Sequence, residues 1–112
     1  MATGEAWSEV EVQAIVADYF VMLDKELRGE AYNTAEHNRA LRRILTDRST
    51  GSIERKHLNI SAVLIEGGHP YIVGYKPNAN YQKLLADVVI DRIESDASLR
   101  HLAREFLAMP RG

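Results

Sequence analysis

Between positions 48 and 64 the chain reads RSTGSIERKHLNISAVL, and this run holds the side chains best equipped for chemistry. Ser49, Thr50 and Ser52 stand where the pattern predicts a helix to begin, so their hydroxyls and the free backbone N–H groups of the first turn can donate to a phosphate. Arg55, Lys56 and Asn59 then project opposite the apolar positions Ile53, Ile60 and Leu64, and in that place an Arg can pair bidentately with guanine and an Asn with adenine. His57, set among Arg55, Lys56 and Asn59, reads as a phosphate contact or a helix-packing residue. Arg42, Arg43 and Arg48 lie just upstream as phosphate anchors. Downstream, the GYKPNANY loop offers Lys76 and Asn78 at its tip with Tyr81 behind them, a composition that can touch a backbone or enter a groove as a wing does. Tyr71 and Tyr75 fit better as pins holding that loop to the core. The plain alternative for the basic run is an ordinary solvated helix face.

Charge distribution says more than net charge. The 112 residues sum to −2, yet positions 39 to 56 hold six cations (Arg39, Arg42, Arg43, Arg48, Arg55, Lys56) against Asp47 and Glu54, a local balance of +4 that leaves −6 for the remainder. Such asymmetry points to a polyanion on one face. With no cysteine there is no disulfide framework and no thiolate zinc site. Histidines stand at 37, 57, 69 and 101, with no pairing at metal-ligand spacing on an inward face, and there is no Gly-rich phosphate loop. The expectation is therefore a non-enzymatic domain with no metal and no cofactor; Glu54, Glu66 and His57 form no more of an acid–base set than any three polar residues on a helix. No apolar run approaches a membrane span, and the acidic start MATGEAWSEVE is unlike a signal peptide, so a cytoplasmic location without membrane contact is expected.

The elements that must position these residues are helices. Ser8 and Glu11 form an S-x-x-E capping box, with Trp7 before it placed to staple onto Val12, and Val12, Ile15, Val16, Tyr19, Leu23 and Leu27 repeat at helical spacing up to Arg28-Gly29. A second helix is predicted from an Asn33 or Thr34 cap to about 46–48, with Leu41, Ile44 and Leu45 inward and Arg39, Arg42 and Arg43 outward. The third spans 50–65 and stops at Gly67-Gly68. A short extended, wing-like segment follows at 71–75, with His69-Pro70 as a turn before it and 76–80 as a turn after it. Asn80 is the predicted cap of a fourth helix through Leu84, Leu85, Val88, Val89 and Ile93, and a fifth carries Leu99, Leu102, Phe106 and Leu107 after a break at 95–98. The closing MPRG reads as a linker. The fold class is thus mainly α, one helical domain over 1–112, with the second and third helices forming a helix-turn-helix-like pair.

The run RSTGSIERKHLNISAVL followed by GGHPYIVGYKPNANYQ resembles the N-terminal head region of McrA-like, type IV modification-dependent HNH restriction endonucleases, over about residues 7–85. The positions that match its basic pattern are Arg48, Ser49, Ser52, Lys56 and Asn59. The resemblance implies the target-sensing head of a restriction or defence nuclease, an N-terminal fragment of a larger protein with a nuclease domain C-terminal to it, and double-stranded DNA carrying a modified base as partner. The HNH histidine and asparagine set is missing from this chain, so nuclease activity does not carry over. Together these readings predict a double-stranded DNA-binding module in which helix 50–65 reads the duplex and flanking arginines anchor phosphates. The competing expectation is a protein-interaction or dimerisation domain of a multidomain bacterial protein, built on the acidic remainder and the aliphatic last two helices; a homodimer is compatible with both.

Overall fold

In the computed structural model, which describes residues 6–109, five helices follow one another: α1 (Glu9–Arg28), α2 (Thr34–Ile44), α3 (Thr50–Glu66), α4 (Lys83–Ser95) and α5 (Ala97–Ala108). No strand occurs among the described residues. The first helix begins as its sequence requires: the Ser8 hydroxyl accepts from the Glu11 N–H, and the Glu11 carboxylate accepts from the Ser8 N–H at 3.0 Å. It ends on Gly29, whose φ of 75° lets the chain turn left-handed while Glu30 N–H reaches back to the Lys25 carbonyl. Asn33 caps α2 and Ser49 caps α3 through their side-chain oxygens. Three boundaries differ from expectation. Helix α2 stops at Ile44, ahead of the expected 46–48. Helix α4 begins two residues later than an Asn80 cap would place it, on Gln82 with no side-chain cap, because Asn80 is held elsewhere by the loop; α5 is capped by Asp96, which accepts from Leu99 N–H at 2.9 Å.

Helix α1 touches all four other helices, and α3 touches α1, α2 and α4. That placement decides the core. Ile15, Tyr19, Met22 and Leu23 from α1 meet Ile53, Ile60 and Leu64 from α3, Leu85 and Val89 from α4, and Ile72 from the α3–α4 connection, all within one buried cluster that also takes in Trp7 and Leu99. A helix with three neighbours buries more than one stripe, so the second half of α3 is enclosed nearly all round, from Asn59 to Leu64. Two positions of the inward pattern are not in the core: Ile44 is 69 % exposed although its neighbour Leu45 is buried, so α2 turns that side chain outward, and Leu107 near the end of α5 is 52 % exposed. Of the MPRG tail, residues 110–112 lie outside those described.

The segment expected to be extended, 71–75, is irregular and fastened by side chains instead of a ladder. The Tyr19 hydroxyl accepts from Ile72 N–H at 2.9 Å and shares a 2.7 Å hydrogen bond with Ser61 Oγ, and the Glu26 carboxylate accepts from Val73 N–H at 3.0 Å. Burial pushes the Tyr19 phenol well above its usual range, so it stays an O–H donor. One hydroxyl thus joins α1, α3 and the connection. The variant Tyr19→Phe leaves Ser61 and the Ile72 N–H without that partner and is expected to cost about 2 kcal/mol of unfolding free energy; urea denaturation showing wild-type stability would refute the role assigned to the hydroxyl.

Candidate nucleic-acid interface

The turn between α2 and α3 is organised by Arg48, and its role differs from that of a phosphate anchor. Only 7 % exposed, Arg48 donates from Nε to Glu11 Oε2 at 2.9 Å and from Nη2 to Glu11 Oε1 at 2.8 Å, reaches the Ala6 carbonyl at 3.2 Å, and lies 4.7 Å from the centre of the Trp7 ring. A guanidinium saturated in this way has little left to offer a ligand. Hydrogen bonding from Arg48 is the main cause that holds the Glu11 carboxyl down at about 2.

Asn59 and His57 also move from the predicted surface to the interior. Asn59, 2 % exposed, donates from Nδ2 to the Asn78 carbonyl at 2.7 Å and less closely to that of Asn80 at 3.4 Å, while Asn78 N–H donates to the Leu58 carbonyl. It clamps the 76–82 loop to α3 and cannot read a base. Lys56 extends that clamp, donating from Nζ to Gln82 Oε1 at 3.0 Å and passing 5.4 Å from the Trp7 ring centre; Gln82 in turn donates to the Trp7 carbonyl. Tyr81, placed by the sequence reading against nucleic acid, donates its hydroxyl to the Glu66 carboxylate instead. His57 is fully enclosed, stacked on Tyr75 with ring centres 4.7 Å apart, and its Nε2 stands 3.3 Å from Asp18 Oδ2. The other Asp18 oxygen lies 2.6 Å from His37 Nδ1, so one carboxylate faces imidazoles of α2 and α3. These are packing groups. Burial pushes the Tyr75 phenol up to about 12.

What remains outside is still strongly basic. Arg39, Arg42 and Arg43 on α2, Arg55 on α3 and Lys76 on the loop are exposed, as are Ser49 and Thr50, while Ser52, Lys56 and Asn78 are half-buried. None of those four arginines makes an ion pair with an acid among the described residues, in contrast to Arg28 with Asp24 and Lys83 with Asp87. The first half of α3 forms a ridge between two clefts. One, of about 320 Å³, lies against α2 and includes Asn38, Arg39, Arg42 and Glu54; the other, of about 420 Å³, lies against the Trp7 segment and includes Ser52, Arg55 and Lys56 beside the buried Arg48 and Asn59. Burial, together with the nearby Arg48 and Arg55 charges, lowers the Lys56 ammonium from its usual range, the mark of a crowded cationic site. Structure therefore brings Arg42, Thr50, Ser52, Arg55 and Lys56 around one ridge whose start Ser49 caps, leaves Arg43 exposed on α2, and takes up Arg48, His57, Asn59 and Tyr81 in contacts within the fold. Asn38 and Glu54 are additions. Asn38 was legible, since it falls on the Thr34, Asn38, Leu41, Leu45 stripe that faces α3.

No helix among the described residues is long and apolar enough to cross a membrane, and no group of three or more His, Asp or Glu side chains among them is arranged to hold a metal ion. Two consequences follow for stability. Because the folded Glu11 carboxyl lies at about 2 against an ordinary 4.5, its contribution is complete above pH 4.5 and is lost as pH falls toward 2; Glu11→Gln, which leaves Arg48 buried beside a neutral partner, is expected to lose about 3 kcal/mol at neutral pH and to flatten this acid limb in pH-dependent denaturation curves. Asn59→Ala is expected to cost about 2 kcal/mol and to speed amide exchange at residues 78–82, and unchanged exchange there would contradict the clamp. No family model, curated protein or solved structure matches this chain.

Proposed function

We propose that the chain is a double-stranded DNA-binding module whose α2 and ridge of α3 lie against the phosphate backbone. The observation that carries the reading is the set of exposed cations Arg39, Arg42, Arg43 and Arg55, all without an acidic partner among the described residues, on both sides of a helix start capped by Ser49. Unpaired arginines cost the isolated protein mutual repulsion, and a line of phosphates removes that cost while releasing counterions. Ser49, Thr50 and the first backbone N–H groups of α3 add donors at the positive end of the helix dipole. The burial of Asn59 and Arg48 leaves Arg55, with Lys56 beside it, as the side chain able to reach a base edge, so affinity in this reading is carried by phosphates and sequence discrimination is narrow. The role of target-sensing head in a modification-dependent restriction or defence nuclease, in a cytoplasmic setting and joined to a C-terminal nuclease domain, rests on the resemblance of residues 48–82 to that class. A docking or dimerising role is favoured by one feature, the apolar cleft that Pro70, Ile93, Ala103 and Leu107 form with Arg100 and Arg104 at its edge; a concentration-dependent sedimentation coefficient would support it.

The test is fluorescence anisotropy of labelled duplexes, unmodified, cytosine-methylated and adenine-methylated, across a salt series. Wild-type binding is expected to weaken steeply with salt, and Arg42→Gln with Arg43→Gln is expected to weaken every duplex alike and reduce the slope of log K against log salt by about 0.9 per contact removed. Arg55→Ala is expected to reduce discrimination between duplexes by roughly 1–3 kcal/mol. Absence of duplex binding at about 50 mM salt overturns the proposal.

A further inference from the structure

Lys56 is set apart from the other three lysines of the chain, Lys25, Lys76 and Lys83, by what surrounds it. Its side chain is half-buried along the cleft of about 420 Å³ between α3 and the Trp7 segment. Nζ donates at 3.0 Å to Gln82 Oε1, an uncharged acceptor whose orientation is fixed because Gln82 Nε2 donates to the Trp7 carbonyl. Lys56 makes no ion pair with a carboxylate among the described residues. The charges closest to it have its own sign: Arg48 packs on the same Trp7 ring, at 4.7 Å from the centre against 5.4 Å for Lys56, and Arg55 lines the same cleft. Glu11, whose charge also reaches Lys56, is engaged by Arg48 through two hydrogen bonds. The other lysines stand beside acids or in the open. Lys83 pairs with Asp87, Lys25 shares a different cleft with Asp24 and Glu30, and Lys76 is exposed on its loop. An ammonium with guanidiniums around it and a neutral amide as its partner gives up its proton more readily than these, in line with the lowered range already described for Lys56.

We propose that Lys56 is a covalent modification site, an amine that small acyl phosphates acylate from this cleft. The unprotonated Nζ attacks the acyl carbon, the bond between that carbon and the phosphate oxygen breaks, and inorganic phosphate leaves with the bonding pair. The proton released from nitrogen passes to solvent, nothing is oxidised or reduced, and the product is an amide. Arg55, exposed beside the cleft, draws in the anionic reagent and offsets the charge on the departing phosphate. The product also suits its surroundings. One N–H remains to donate to Gln82 Oε1, while the positive charge disappears from beside Arg48 and Arg55, so acylation relieves a repulsion that the ammonium suffers. The inference concerns the reactivity of the free chain and does not rest on duplex binding.

Incubating the full chain with acetyl phosphate over a pH series, and following each lysine by peptide mass spectrometry, tests it. Lys56 is expected to be acetylated at least about threefold faster than Lys76 and Lys83 at neutral pH, because one unit of pKa changes the amine fraction about tenfold and a less basic amine gives back part of that gain in nucleophilicity. Its rate is also expected to level off at a lower pH than theirs. In denaturing guanidinium chloride all four lysines are expected to react alike, since the difference comes from the fold. Arg55→Gln, a change at an exposed position, is expected to slow Lys56 and leave Lys76 as it was, and Lys56→Arg is expected to abolish the fast phase of acetylation. Acetylation of Lys56 no faster than that of Lys76, a preference that persists in the unfolded chain, or an Arg55→Gln variant in which Lys56 reacts at the wild-type rate overturns the site. Duplex anisotropy run in parallel keeps the two proposals apart, because preferential acetylation of Lys56 in a chain that binds no duplex removes only the DNA-binding reading, and duplex binding without that preference removes only the modification site.

Discussion

The ion pair between Arg48 and Glu11 is the constraint on which the rest of the arrangement depends. It joins the start of α1 to the turn between α2 and α3 across 37 residues of chain, under the ring of Trp7. A guanidinium this deeply buried is tolerable only because both of its carboxylate bonds, a backbone carbonyl and an aromatic face surround it. With the turn fixed, α3 enters the bundle at one angle, its second half is enclosed by three helices and its first half is left standing as a ridge. Arg39 and Arg42 of α2 and Arg55 of α3 then fall on the flanks of that ridge.

Around this pair the polar interior is economical. Tyr19, Asn59, Lys56 and Gln82 each tie an irregular segment to a helix, so the connection from Gly67 to Gln82 is ordered without any strand ladder. A loop whose backbone groups are satisfied by side chains of the core helices costs less to hold than one relying on its own turns. The same economy explains why Tyr19, Arg48 and Asn59 are not on the surface. Their hydrogen-bonding capacity is consumed in building the fold that presents the exposed arginines.

Much of the architecture was legible in local sequence. The Ser8/Glu11 box, the Gly29 stop, the Asn33 and Ser49 caps and the outward Arg39, Arg42 and Arg43 depend on residues within one or two turns, and the structure has them as the pattern implies. The functional assignment of 48–59 was less legible because it depends on partners distant in sequence. Nothing near Arg48 announces Glu11, and nothing near Asn59 announces that the carbonyls of Asn78 and Asn80 return to it. His57 is the exception: it shares the Ile53, Ile60, Leu64 stripe, so its burial follows from helical spacing alone, and a basic neighbourhood obscured that signal. Asn38 follows the same logic on α2.

Glu11 does two jobs with one carboxylate. Its Oε1 accepts from the Ser8 N–H at 3.0 Å, closing the cap of α1, and the same oxygen accepts from Arg48 Nη2 at 2.8 Å. A local signal and a long-range one therefore converge on a single atom. While the chain is being synthesised, α1 leaves the ribosome well before residue 48 does, so its first turn has only the local half of this arrangement and frays more readily than in the finished domain. When Arg48 arrives, it finds a carboxylate already oriented by the cap, and docking of the turn and completion of the first helix become one cooperative event.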